Sequence, residues 1–290
     1  MISPPVFRYF VKLSYNGSGF NGWQKQENAP SVQQVLEQAF AFAGGITCRL
    51  TGCGRTDTGV HAKKFYAHFD YHDALNEEEL DKITFKINRY MPFSIAVQRI
   101  FPVMPEAHAR FSPVLREYQY NILLAKDPFL ENSAYYIWGD LDVGAMNKAA
   151  TLLKQFTDFE CFSKTNTQVK TYNCRIIEAG WKRDGNLLVF TIQADRFLRN
   201  MVRAIVGTLL DIGRHKLNPD DLRRIIESRN RCNAGYSVPA KGLFLTDVIY
   251  PDGIFSDHPV AFLPGRPDEI KPHNQADAQL HDGAGNETYE

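Results

Sequence analysis

The chain has 290 residues, 44% of them hydrophobic and 23% charged, which is ordinary for a globular protein and allows one large or two modest domains. No run approaches the roughly 20 apolar residues of a membrane span, so no membrane partner is expected. The formal net charge of zero argues at first against a nucleic-acid partner, but residues 251–290 hold eight acids and two bases. That leaves 31 bases and 25 acids in residues 1–250, a mild positive field that suits a polyanion.

The first half of the sequence predicts a mixture of strands and helices. Ser31, with Gln34 three residues on, has the pattern of a capping box at a helix start. Asn76 precedes an acidic first turn, and Pro92 ends the apolar stripe that follows, which predicts a second capped helix. In chain order the predicted elements are a strand at 7–15, a glycine-rich loop at 16–23, a helix from 32, strands at 46–50 and 65–70, and a helix at 77–91.

The second half continues this mixture and ends in an acidic segment. The predicted elements are a strand at 117–124, helices at 142–156, 197–212 and from 219, and strands at 187–194 and 243–250. No glycine-rich nucleotide fingerprint follows any strand, which favours a mixed α+β layer over a doubly wound parallel sheet. No internal repeat is visible. Residues 256–290 contain few large apolar side chains and predict a disordered tail.

The densest polar cluster of the sequence surrounds Asp57. Glycines at positions 52, 54 and 59 allow the backbone to bend there and to approach a ligand closely. Composition alone leaves two interpretations open. One is an ordinary polar turn with a local pair between Arg55 and Asp57, and the other is a functional loop built around the carboxylate.

Arg203 stands among apolar neighbours in residues 201–206. Together with Arg196 and Arg199 it has the spacing of one helical face. These three arginines form either a solvated basic stripe or part of a mostly buried helix. In the second case Arg203 needs a carboxylate partner, because an unpaired buried charge is costly.

Other chemistries find little support in the sequence. His61, His68 and His72 are the histidines that we considered as metal ligands. A spacing of four residues joins side chains on a helix but not on the strand predicted here, so we predict no metal site. No G-x-S-x-G motif supports a Ser–His–Asp arrangement, and no G-x-x-x-x-G-K-[ST] motif supports ATP-driven chemistry. We predict no nucleotide or other cofactor. Five scattered cysteines without a C-x-x-C pair, and a start without a secretory pattern, predict a cytoplasmic protein.

Residues 54–62, Gly-Arg-Thr-Asp-Thr-Gly-Val-His-Ala, match the loop G-R-T-D-x-G-V-H-A that marks the bacterial tRNA pseudouridine synthase A family. The chain therefore resembles this family, and further matches follow in the family's order through about residues 7–251. They lie at residues 13–17, 20–24, 31–33, 109–112, 116–120, 156–159, 197–203 and 240–245.

The resemblance implies an architecture and partners. We expect the α+β pseudouridine synthase fold, in which two ferredoxin-like subdomains share a mainly antiparallel sheet around a central cleft. The expected subdomains are residues 1–105, with the catalytic loop, and 106–255, followed by the tail 256–290. The resemblance also implies a homodimer that binds tRNA.

By the match of motifs, the resemblance also assigns roles to residues. Asp57 corresponds to the catalytic aspartate, and Tyr118 to the tyrosine that packs on the target base. Arg203 corresponds to the arginine paired with the aspartate, Arg55 to one that holds the nucleotide out of its stack, and Leu245 to an apolar position near the base. The implied reaction converts uridine to pseudouridine at tRNA positions 38, 39 and 40 in the anticodon arm, with Asp57 as nucleophile or as base.

Two rival hypotheses belong to other functional classes. A tRNA-binding protein without catalysis would not need the set formed by Asp57, Arg55, Tyr118 and Arg203. An aspartate-dependent hydrolase of nucleosides or sugars would need a second carboxylate or a metal cluster, and neither stands out in the sequence.

Overall fold

The chain folds around one large sheet, and the computed structural model describes residues 5–27, 29–165 and 170–263. The first half contains β1 (Val6–Tyr15), α1 (Val32–Ala39), β2 (Thr51–Gly52), β3 (His61–Tyr71), α2 (Glu77–Tyr90) and β4 (Ile95–Pro102). The second half contains β5 (Leu115–Leu123), β6 (Tyr135–Tyr136), α3 (Val143–Leu152), β7 (Ile176–Asp184), β8 (Leu187–Ala194), α4 (Met201–Gly213), α5 (Asp221–Glu227), β9 (Leu243–Ile249) and β10 (Ala261–Phe262). Within these ranges, every helix is too short or too polar to span a lipid bilayer.

The strands form a mainly antiparallel sheet, as predicted. Its main path runs β10-β1-β3-β9-β5-β8-β7, while β4 pairs with β1, β2 with β3 and β6 with β5. Among the described strands only the β3–β9 and β5–β6 pairs are parallel. The α+β class with a large open sheet is therefore confirmed.

With the short strands β6 and β10 and the helix α5 set aside, both halves repeat one order of elements: strand, helix, two strands, helix, strand. In space the first half is ordered β4-β1-β3-β2 and the second β9-β5-β8-β7, so the first strand of each lies between its third and fourth. The halves meet where β3 and β9 pair through His61↔Phe244 and Ala62↔Leu245. The repeat is one of topology, which explains why the sequence did not reveal it.

The predicted helix starts in the first half are confirmed. The Gln34 amide donates to Ser31 Oγ at 3.3 Å before α1. The Glu79 amide donates to Asn76 Oδ1 at 3.0 Å, and the Asn76 amide donates back to the Glu79 carboxylate at 2.8 Å, a complete capping box. Local side-chain chemistry therefore fixes where both helices begin.

Two predicted elements were wrong. Residues 46–50 form no strand, because the Leu50 amide donates to Glu37 and its carbonyl accepts from Gln33, both on α1. The helix predicted from residue 197 begins only at Met201, because Asn200 adopts a left-handed φ of 68°. The arginines at positions 196 and 199 therefore precede the helix and do not share a face with Arg203.

Each half has its own hydrophobic core, and the two cores exchange residues near the junction. Val60 packs into the core of the second half, whereas Leu245 packs into that of the first. Tyr118 contacts both cores. Of the predicted tail, residues 256–263 are described and include β10, which pairs with β1, while residues 264–290 lie outside the described part.

Candidate active site

Asp57 lies in the loop between β2 and β3, and the glycine-rich loop 16–23 holds this segment in place. The Tyr15 hydroxyl bonds Thr56 Oγ1 at 2.9 Å, and the Gly59 amide donates to the Phe20 carbonyl at 3.3 Å. Gly22 has a φ of 82°, and a Cβ there would overlap the Thr56 carbonyl oxygen. The glycine at position 22 is therefore needed both for its backbone conformation and for close approach to the Asp57 loop.

His61 joins three segments beside this loop. The Gly17 amide donates to its Nδ1 at 3.0 Å, and its Nε2 lies 3.1 Å from the Lys241 carbonyl oxygen. Because Nδ1 accepts, Nε2 carries the proton and the ring is neutral. Burial lowers the pKa of His61, which favours the same state. Both ring nitrogens of His61 therefore make hydrogen bonds that hold these segments together. Among the described residues, no cluster of potential metal ligands occurs.

Two arginines flank the Asp57 carboxylate. Arg203 Nη1 lies 3.6 Å from Oδ2, and Arg199 Nε lies 3.5 Å from Oδ1. The Arg203 side chain is only 20% exposed and its Nε donates to the Val238 carbonyl at 2.7 Å, whereas the Arg199 side chain is 60% exposed. Of the two interpretations of Arg203, the structure supports the partly buried arginine with a carboxylate partner.

Strand register brings Tyr118 and Leu245 to the same place. Ala62, at the start of β3, pairs with Leu245, which in turn pairs with Tyr118. The Tyr118 ring meets the edge of Phe197 at 5.1 Å and 89°. Burial raises the pKa of the Tyr118 hydroxyl above its usual range, and the neighbouring Asp57 charge raises it further. The phenol therefore stays protonated close to the carboxylate.

A β-bulge in β9 lies directly beside Tyr118. The register between β5 and β9 shifts after Glu117, so that Thr246 is the extra residue. Thr246 Oγ1 donates to the Glu117 carboxylate at 2.7 Å, and Gln193 donates to the other carboxylate oxygen at 2.7 Å. Bulges of this kind redirect a side chain next to a site, and this one is fastened by side chains.

Arg55 is exposed and belongs to a group of cations at the edge of the loop. Burial lowers the pKa of Arg110, and the nearby charges of Arg55, Arg116 and Arg196 lower it further. Arg116 donates to three backbone carbonyls, those of Cys53, Arg110 and Asp195, at 3.2, 2.6 and 2.8 Å. These arginines give the edge of the Asp57 loop a positive charge.

A cleft of about 530 Å³ opens at the Asp57 carboxylate. Its lining residues are Asp57, Thr58, Lys164, Thr165, Arg199, Asn200, Arg203, Arg231 and Ser237. The lining therefore includes four bases and one acid. This composition is suited to an anionic ligand, with the carboxylate as the one group of opposite charge.

Comparison with known proteins identifies the family of this site. A model of the tRNA pseudouridine synthase family matches residues 149–251. A tRNA pseudouridine synthase A of Parabacteroides distasonis is 50% identical over 248 residues, which are 86% of this chain and 98% of the relative. The Bacteroides fragilis protein of the same name is 49% identical over 251 residues, 86% and 99% of the two chains. One from Acetivibrio thermocellus is 35% identical over 240 residues, 82% and 97%. The chain belongs to the tRNA pseudouridine synthase A family.

Membership of the tRNA pseudouridine synthase A family confirms the resemblance predicted from residues 54–62. The part matched by the family model runs from α3 through β9 and contains Arg203 and Leu245. The structure brings Asp57, Arg203, Tyr118 and Leu245 together, and it places Arg55 at the exposed edge of the same loop.

Sequence reasoning missed several residues of the cleft in this family member. Asn200, Arg231 and Ser237 line it, and the sequence assigned none of them an individual role there, although Asn200 lies within the matched residues 197–203. Arg199 was noted only as part of a predicted basic stripe. One signal was present: an asparagine followed by an apolar helix is a common helix start, which would have moved the start of α4 to residue 201 and Arg199 into the preceding turn.

Proposed function

We propose that this chain isomerises uridine to pseudouridine in tRNA, with Asp57 as the essential carboxylate. The observation that carries the proposal is the Asp57–Arg203 pair in the cationic cleft, on the loop that identifies the family. The named relatives are tRNA pseudouridine synthases, and an enzyme of this kind needs both an RNA-binding surface and an ionised carboxylate.

The reaction rearranges atoms without a net gain or loss. The bond from C1′ of the ribose to N1 of uracil breaks, the base turns, and C5 bonds C1′. The proton leaves C5, and N1 gains one. Asp57 acts either as nucleophile at C1′ or as base for a sugar proton, and both roles require its ionised form. A guanidinium nearby favours that form, which is the role that we propose for Arg203.

Tyr118 is proposed to hold the detached uracil. Removing a base from its stack costs a few kcal/mol, and stacking on an aromatic ring returns about 1–3 kcal/mol. The fixed position of the ring against Phe197 supports this role, because a platform must not turn with the base. Leu245 is 2% exposed and would form an apolar floor beside the ring. Arg55, exposed on the loop, would occupy the place that the flipped nucleotide leaves.

The finer assignments extend the same proposal. We expect the target uridines at tRNA positions 38, 39 and 40 in the anticodon arm. The protein should bind the tRNA mainly through its phosphates and act as a cytoplasmic homodimer. Several large aromatic side chains are exposed outside the cleft and would gain from cover in a dimer: Phe42, Phe85, Tyr90 and Phe93.

We also propose that the two halves are ferredoxin-like subdomains with bounds at residues 1–105 and 106–255. The repeated strand order and the separate hydrophobic cores support this division. The cleft then lies between two similar units, each of which contributes part of the site: Asp57 comes from the first, and Arg203 and Tyr118 from the second.

Incubation of the purified chain with unmodified tRNA, followed by mapping of pseudouridine, tests the proposal. We expect product in the anticodon arm from the wild type and none from Asp57→Ala, with tRNA binding retained in that variant. A wild-type protein that binds tRNA and makes no product would support the binding-only alternative and overturn the proposal.

A further inference from the structure

A small hydrogen-bonded group lies in the cleft beyond the Asp57–Arg203 pair. Asn200 Nδ2 donates to Ser237 Oγ at 2.6 Å, and Arg231 Nη2 donates to the same oxygen at 2.9 Å. A serine hydroxyl has two acceptor positions and one proton to donate. Both bonds that reach Oγ from the described residues are donated to it, so its acceptor capacity is filled. The Ser237 proton is thus left for a partner in the cleft.

The turn that carries Ser237 is held rigidly. Arg231 Nη1 donates to the carbonyls of Ala234 and Gly235 at 3.3 and 3.0 Å. The Gly235 amide donates to Thr208 Oγ1 on α4 at 2.8 Å. A Cβ on Gly207 would overlap the Tyr236 carbonyl oxygen, so the turn packs against the helix backbone itself. The hydroxyl and the guanidinium therefore present a fixed pair of donors.

Asn200 adopts a strained backbone to take part in this group. Its φ of 68° lies in the left-handed region, which is uncommon for a residue other than glycine. It precedes α4, yet its side chain makes no capping bond to the helix and instead contacts Ser237. Strain of this kind persists where the surrounding structure requires it, and here it places the amide on the hydroxyl.

The charge of the cleft indicates what the Ser237 proton meets. The cleft lining carries four basic side chains and one carboxylate, and the uracil ring is neutral. The guanidinium of Arg231 is bonded to the Ser237 hydroxyl, so an acceptor bound by the serine also lies close to a positive charge. A phosphate oxygen fits both donors better than a carbonyl oxygen does.

We propose that Ser237 and Arg231 form a subsite for a phosphate group of the target nucleotide, with Asn200 as the residue that positions the Ser237 hydroxyl. The inference rests on the proposed function, because it takes RNA as the ligand. Its test measures tRNA binding and does not need turnover, so the subsite can fail the test while the proposed function holds.

Binding is measured with unmodified tRNA in the Asp57→Ala background, where no product forms. Ser237→Ala removes a bond to a charged group, so we expect a Kd raised about tenfold or more, and Ser237→Thr should restore it to within about threefold. Arg231→Gln should also weaken binding and reduce the slope of log Kd against log salt by about 0.7–0.9. Ser256 is half-buried and Arg183 is exposed, and neither lines the cleft, so Ser256→Ala and Arg183→Gln serve as matched controls with wild-type affinity. Unchanged affinity in Ser237→Ala would overturn the proposal.

A second arm separates a phosphate from a uracil carbonyl as the acceptor. An RNA stem-loop with a neutral methylphosphonate at a single position beside the target uridine should bind the parent protein about tenfold more weakly at one of the two flanking positions. At that position Ser237→Ala should add no further loss. Equal losses for Ser237→Ala on every RNA would assign the hydroxyl to another group and overturn the phosphate assignment.

The role of Asn200 has its own test. Asn200→Asp introduces a carboxylate that accepts the Ser237 proton, so affinity should fall as far as in Ser237→Ala. Asn200→Gly tolerates the positive φ and leaves the proton free but removes the bond that positions the hydroxyl, so we expect an intermediate loss of about threefold. Equal losses in both variants would show that Asn200 has a structural role only, and would remove it from the proposal.

Discussion

Replacement of Arg203 by methionine removes the guanidinium and keeps a side chain that fills most of its space. At 3.6 Å, two unit charges interact by about 1 kcal/mol in water and by about 4–5 kcal/mol at the effective dielectric of a protein surface. Both partners are about one-fifth to one-quarter exposed, which places the pair between these limits. We expect a loss of about 2–3 kcal/mol, or roughly 30- to 150-fold in kcat.

Arg199 provides the matched control, since it lies at a similar distance from the same carboxylate. Its side chain is 60% exposed, and exposed pairs contribute about 1 kcal/mol or less. Arg199→Met should therefore lower kcat by about fivefold at most. The kcat of Arg203→Lys should lie between those of the two methionine variants. The ammonium keeps the charge but lacks the guanidinium geometry that contacts both Asp57 and the Val238 carbonyl.

Release of tritium from C5 of uridine measures the reaction, because C5 loses its hydrogen when it bonds C1′. Single-turnover release with excess protein separates the chemical step from tRNA affinity, which is measured independently by filter binding. Circular dichroism checks that the loss of the bond to the Val238 carbonyl leaves the fold intact. A rate for Arg203→Met within about threefold of the wild type would refute the reasoning, and so would a larger loss in Arg199→Met.

Three further predictions concern the base platform, the histidines and the loop. Tyr118→Ala should lower the single-turnover rate by about 10- to 100-fold with little change in tRNA affinity. The rate of Tyr118→Phe should stay close to that of the wild type because the ring remains. A large loss of affinity with normal turnover would contradict the role of Tyr118 as a platform for the base. Burial lowers the pKa of His61, His68 and His108, the last to about 4, so the unfolded chain binds more protons than the folded one at acid pH. Stability should thus be complete above about pH 6.5 and fall as the pH drops toward 4, and urea unfolding that shows constant or rising stability over this range would disprove this. Gly22→Ala introduces a Cβ that overlaps the Thr56 carbonyl at a φ of 82°, so it should lower the free energy of unfolding in urea by about 2 kcal/mol or more and abolish most activity. Gly19→Ala, where space is open, is the control. Equal stability of the two variants would show that the close approach is not required.

Local patterns predicted those parts of the fold that local chemistry decides. Ser31 and Asn76 begin their helices where the sequence placed them, because each cap needs only a backbone amide within three residues. Residues 46–50 have the composition of a strand, but Gln33 and Glu37 take up the backbone groups of Leu50. That outcome depends on a helix more than ten residues away, which no short window contains.

In the candidate site, too, some residues could be recognised from their local sequence and others only from the fold. Arg203 could be interpreted from its apolar neighbours, because a charge in such surroundings needs a partner, and the partner proved to be Asp57. No local contrast of this kind singled out Asn200, Arg231 or Ser237 for the cleft. Their arrangement depends on the bond between Asn200 and Ser237, which lie 37 residues apart along the chain and meet only in the folded structure.

The position of β9 has a consequence for the synthesis of the chain. This strand comes last among the long strands, yet it pairs with β3 of the first half and β5 of the second. At about 5–20 residues per second, the ribosome adds Leu245 some 10–40 s after Asp57. Until then β9 does not yet join β3 to β5, so a stalled or truncated chain should be inactive rather than partly active on cellular RNA.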